Sequence, residues 1–140
     1  MGVSTIGCVV TDCKDVFKVS EAICFSINSL IKEKSGLDGI QLLLSENVRK
    51  PVATVYAEIM VVSFDFLFLG EERSLKVHFD CDYDLRNHEE LDGHSCLWLN
   101  LGNWGSSVVI MESVLNGLKQ FGKTYIDTKD CDDVGFQEVV

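Results

Sequence analysis

Phe64-Asp65-Phe66-Leu67-Phe68-Leu69-Gly70-Glu71-Glu72-Arg73-Ser74-Leu75-Lys76-Val77-His78-Phe79-Asp80-Cys81-Asp82 is the stretch that decides the fold. From Leu75 onward apolar and polar side chains alternate: Leu75, Val77, Phe79 and Cys81 against Lys76, His78, Asp80 and Asp82. That period of two belongs to a strand with one buried and one wet face. Before Gly70, Phe64, Phe66 and Phe68 share one face while Leu67 and Leu69 take the other, which predicts a central strand covered on both sides for part of its length. Gly70-Glu71-Glu72-Arg73 is the expected hairpin turn between the two strands.

Upstream, Ile40 to Leu44 and Ala53 to Val62 read as strands, with Asn47 and Pro51 marking the connection. A first strand is expected over Thr5 to Val10. A helix capped by Asp15 or Ser20 follows and runs to about Lys34, with Ile23, Ile27, Leu30 and Ile31 on one stripe, Lys32 and Lys34 in the last turn, and Gly36 as its C′ residue. Downstream of a polar loop from Tyr83 to Gly93, the strand Ser95 to Leu101 points Leu97, Leu99 and Leu101 one way and Cys96, Trp98 and Asn100 the other. A second helix starts near Ser106 or Ser107, carries Val108, Met111, Leu115 and Leu118, and is expected to end at Gly122. Gly117 in its interior costs about 1 kcal/mol relative to Ala. A last strand, Lys123 to Asp127, precedes an acidic tail. This order predicts an α+β fold, a mainly antiparallel sheet with two helices packed on one face.

At 140 residues, 46% hydrophobic and with one proline, the chain is expected to be a single globular domain spanning 1–140. Met1 to Val10 has no basic start or long apolar run, so it does not read as a secretory signal. Ile6 stands where a myristoylation site needs Ser or Thr. The longest apolar run, Ile59 to Leu69, is broken by Ser63 and Asp65 and falls short of the roughly 20 residues a bilayer requires. A cytoplasmic location without membrane association is expected. The six cysteines, Cys8, Cys13, Cys24, Cys81, Cys96 and Cys131, lack disulfide-framework spacing, and none pairs with His78, His88 or His94 at zinc-site spacing. They are expected to be reduced thiols.

The net charge of −10 is concentrated in two places. Asp80, Asp82, Asp84, Glu89, Glu90 and Asp92 oppose only Arg86, and Asp127, Asp130, Asp132, Asp133 and Glu138 oppose only Lys129. These segments hold nine of the ten net negative charges. Such a surface repels nucleic acid and anionic lipid and attracts basic proteins, although acidic loops that serve only solubility have the same composition.

The candidate chemical constellations are incomplete. Asp80-Cys81-Asp82-Tyr83-Asp84 opens like a calcium loop, but Leu91 stands where that loop needs its last carboxylate. Asp127 to Asp133 follows a strand end, as metal-binding carboxylates do, without a phosphate-cradling loop; Gly102-Asn103-Trp104-Gly105 lacks the necessary lysine. The three histidines are not paired by spacing with Cys96 or Ser95. No catalytic residue, metal ligand set or cofactor motif is assigned. Trp98, opposite the three leucines of its strand, is the aromatic expected on a binding face, whereas Trp104 beside a helix start is expected in the core.

The succession Leu97-Trp98-Leu99-Asn100-Leu101, Gly102-Asn103-Trp104-Gly105-Ser106-Ser107, an amphipathic helix, Lys123-Thr124-Tyr125-Ile126-Asp127 and Asp130-Cys131-Asp132-Asp133 resembles small bacterial immunity proteins of polymorphic or contact-dependent toxin systems. The resemblance covers about a third of the chain and implies neutralisation of a cognate toxin domain, often a nuclease, by direct binding. No functional residue transfers with it. The residues assigned to the partner-binding surface are Asp80, Asp82, Asp84, Trp98, Asp127, Asp130, Asp132 and Asp133, with a basic protein as partner. The alternatives are a small enzyme with a histidine or carboxylate site, and a dimeric structural or regulatory subunit.

Overall fold

A computed structural model describes residues 4–13, 15–35, 52–56, 59–68, 71–81, 95–102, 107–127 and 137–140. Among the described residues the strands are β1 (Ser4–Val10), β2 (Val52–Tyr56), β3 (Ile59–Phe68), β4 (Glu71–Cys81), β5 (Cys96–Gly102), β6 (Lys123–Asp127) and β7 (Gln137–Glu138). The helices among the described residues are α1 (Val16–Ser35) and α2 (Ser107–Leu118). All strand pairings are antiparallel, in the order β2-β3-β4-β5-β1-β6-β7, so the fold is α+β. The expected strand over Ile40 to Leu44, Gly36, Leu69, Gly70 and Trp104 lie outside the described residues.

The start of α1 is set by Asp15 rather than Ser20. The Asp15 carboxylate accepts a hydrogen bond from the Lys18 amide at 3.1 Å, satisfying one of the donors that a helix start leaves over. From there Val19, Ile23, Ile27, Leu30 and Ile31 are buried, against Phe64, Leu75, Val77, Leu97, Leu99 and Leu101 of the sheet and Ile110, Met111, Val114, Leu115 and Leu118 of α2. Both helices therefore lie on one face of the sheet, as the apolar stripes predict. Two glycines allow the close approach. A Cβ on Gly7 of β1 would lie 2.8 Å from the Met111 sulfur, and one on Gly117 of α2 would run into the Ser26 hydroxyl of α1. The interior glycine is thus a packing requirement that offsets its poor helix propensity.

Several expected boundaries are corrected. α2 ends at Leu118, before Gly122, because the amides of Phe121 and Gly122 bond back three residues, to Leu118 at 3.0 Å and Lys119 at 3.3 Å, which tightens the exit. Ser63 does not interrupt a strand: it sits inside β3 opposite Val52 and Lys76, and the expected strand over Ala53 to Val62 is divided between β2, which ends at Tyr56, and β3, which begins at Ile59 paired with it. Glu71 to Arg73 belong to β4 and not to a turn, since Phe68 already pairs with Glu71. Arg73 takes the Phe66 register position, is buried, and pairs with the Glu71 carboxylate at 3.1 Å. β3 lies second from the β2 edge instead of centrally, and Leu67 is 40% exposed. β5 is the middle strand.

The alternation in β4 also fails at its end. His78 pairs with Trp98, but Cys81 pairs with Cys96, so three steps on β4 match two on β5. This bulge moves Cys81 out of the Leu75, Val77 and Phe79 face to which strict alternation assigns it. β7, two residues opposite Tyr125 and Ile126, is an element the sequence reading does not contain.

Candidate partner-binding surface

The sheet face turned away from the helices can be built row by row, because directly paired residues share a face. One row runs Thr54, Val61, His78, Trp98, Cys8, Tyr125 and Glu138 across all seven strands. The next runs Val52, Ser63, Lys76, Asn100, Ile6 and Asp127. Ile6, Cys8, Cys96 and Tyr125 form a small buried cluster against which Val10 and Trp98 pack. Trp98 is half-buried there, while Lys76, Lys123 and Glu138 are exposed on the same face. Trp98 is therefore near the middle of the face, with its root held by apolar neighbours, the arrangement of an aromatic anchor.

The structure places Trp98 and Asp127 on this one face, two strands apart. Asp80 lies in β4 within the bulge. Asp82, Asp84, Asp130, Asp132 and Asp133 lie outside the described residues, as do His88, His94 and Cys131. The points where the chain leaves for and returns from the two acidic segments are described. Cys81 and Cys96 pair with each other, at the end of the sheet where Val10 meets Lys123. Asp127 lies at the other end, opposite Ile6, and the chain returns at Gln137 beside Ile126. Three strand spacings and four residue steps separate Cys81 from Asp127, a diagonal of about 20 Å. The two acidic segments are rooted at opposite ends of the sheet, with Trp98 between the roots.

His78, the neighbour of Trp98 in its row, is half-buried, and its Nδ1 is buried without a hydrogen-bond partner. Cys96 lies diagonally from it, on the far side of the bulge. Among the described residues no group of three or more His, Cys, Asp or Glu side chains is placed to hold a metal ion. Cys8, Cys13, Cys24 and Cys96 are thiols rather than half-cystines. Burial pushes the Cys24 thiol above its ordinary pKa. No helix among the described residues is long and apolar enough to cross a membrane.

Two aromatic residues outside the expected site are notable. Phe17 and Phe25 are 85% and 75% exposed on the solvent side of α1, with the sheet between them and Trp98. The signal was present in the sequence, since both fall off the Ile23, Ile27 and Ile31 stripe. No family model, curated protein or solved structure matches this chain.

Proposed function

We propose that the protein is a stoichiometric inhibitor that binds a basic protein partner, in the manner of a cytoplasmic immunity protein neutralising a cognate toxin domain. The observation that supports it is that the described strand ends leading into two segments with nine of the ten net negative charges, Cys81 and Asp127, lie at opposite ends of the sheet with Trp98 between them. A standard interface of roughly 800 Å² per partner is about 30 Å across, so a face framed over about 20 Å suits one partner domain. A nuclease must carry positive charge to hold its substrate, and an acidic surface that covers the same region competes with nucleic acid for it. In this reading Asp80, Asp82, Asp84, Asp127, Asp130, Asp132 and Asp133 steer the encounter, and Trp98 holds the complex once formed.

The test is to purify the protein with its partner from the native lysate and measure association and dissociation separately against salt. Changing the seven aspartates to asparagine is expected to slow association at least tenfold at low salt and to flatten the salt dependence. Trp98→Ala is expected to speed dissociation. An acidic partner, or an association rate and salt slope unmoved by all seven changes, overturns the proposal and leaves the acidic segments as solubilising loops.

A further inference from the structure

β4 and β5 run in register to His78 opposite Trp98 and then slip by one residue, which brings Cys81 opposite Cys96. Without the slip Asp80 would occupy that position. Directly opposed residues of an antiparallel ladder have Cα atoms about 4.5–5.5 Å apart, inside the range of about 4.4–6.8 Å that a disulfide spans. The bulge therefore places two sulfur-bearing residues at disulfide distance. Cys13 and Cys24 pack instead against the helix-side core, and Cys8 lies diagonally from Cys96, two residues along β1 from its partner Val10.

We propose that Cys81 and Cys96 are an oxidation site, a dithiol that closes to a cross-strand disulfide when the protein meets a peroxide-class oxidant. One thiolate is oxidised to a sulfenic acid as the peroxide O–O bond breaks and water leaves. The second sulfur then displaces the sulfenic oxygen as a second water, so that two thiols and one peroxide give one disulfide and two waters. Cys96 is 3% exposed, which suits it to the second step because it has only to meet its cross-strand neighbour. The bond would clamp the two ends of the acidic segment that leaves at Cys81 and returns to β5. The inference rests on strand register alone and is independent of any partner.

The full-length, fully reduced chain is treated with hydrogen peroxide, unfolded under acid, alkylated, digested without reductant and mapped by mass spectrometry. The expected result is the loss of two of the six titratable thiols and a linked Cys81–Cys96 peptide, lighter by two hydrogens than its parts and released by dithiothreitol. Cys81→Ser should abolish that linkage, whereas Cys13→Ser and Cys24→Ser should leave it in place. A dominant Cys8–Cys96 or intermolecular linkage overturns the assignment, as does conversion of Cys81 to sulfinic acid without any cross-link.

Discussion

On the helix side of the sheet, β5 presents Leu97, Leu99 and Leu101, each at most 1% exposed, beside Phe64, Leu75 and Val77 at 0%. On the other side the same strand presents Cys96, Trp98 and Asn100, of which Cys96 is buried and the other two are half-buried. The first face is a continuous apolar layer closed by α1 and α2, with Thr5 and Ser107 joined by their hydroxyls at 3.0 Å where β1 meets the start of α2. The second mixes a small apolar cluster with lysines, a histidine and carboxylates. Stability is concentrated on the first face; the second has side chains that a partner could still cover.

Truncating neighbouring residues of β5 that point opposite ways should separate the two faces most clearly. Leu99→Ala should cost about 3–4 kcal/mol in denaturant unfolding, the value for a fully buried leucine whose cavity does not collapse. Trp98→Ala, although it removes far more atoms, should cost about half as much because the side chain is half-buried. Equal losses would make Trp98 a core residue and remove it as an anchor for a partner.

The helix side was also the more legible in the sequence. Asp15, the α1 stripe, the three leucines of β5 and the boundaries of β6 follow from local signals: a capping side chain, a period of 3.6, a period of two. The pairing of Tyr56 with Ile59 was hidden because Ala57-Glu58 has no turn chemistry in the sequence, whereas Ser63, a harmless polar residue on the face away from the helices, resembled a break. The bulge before Cys81 was invisible because an extra residue in β4 is defined only by its register with β5. Arg73 looked like a turn residue since nothing local announces burial of a charge. The alternation of β5 revealed which way Trp98 points. The opposite rooting of the two acidic segments was not legible, because it depends on β1 lying between β5 and β6.

A smaller effect sharpens the account of the helix layer. In an isolated helix Gly→Ala gains about 1 kcal/mol, so propensity alone predicts that Gly117→Ala stabilises the protein. The new methyl would meet the Ser26 hydroxyl, which donates to the Ala22 carbonyl at 2.9 Å, and moving it aside gives up that bond or separates the helices. The expected outcome is a net loss of about 1 kcal/mol in unfolding free energy. Ser26→Gly in the same chain should recover part of it beyond the sum of the single changes. A stabilised Gly117→Ala protein would show that α1 and α2 are not held at this distance.

The smallest effect tests whether the helix layer is closed even at its margin. Cys24 packs against the helix-side core from the partly buried flank of α1, and desolvation there disfavours its thiolate. A thiol whose folded pKa lies above its unfolded value contributes stability that is fully present below the unfolded pKa and is lost as pH rises through the folded one. An ordinary thiol titrates near 9.0, so this contribution is intact at neutral pH and fades only in alkali above that value. Since only the thiolate alkylates, iodoacetamide should modify Cys24 several-fold more slowly than an unstructured cysteine peptide between pH 7 and 9, a contrast that urea removes. Peptide mapping after timed quenching reads the rate at Cys24 separately from those of the other cysteines. A Cys24 rate equal to that of the peptide would mean that this flank of α1 is open to solvent and that the apolar layer ends short of it.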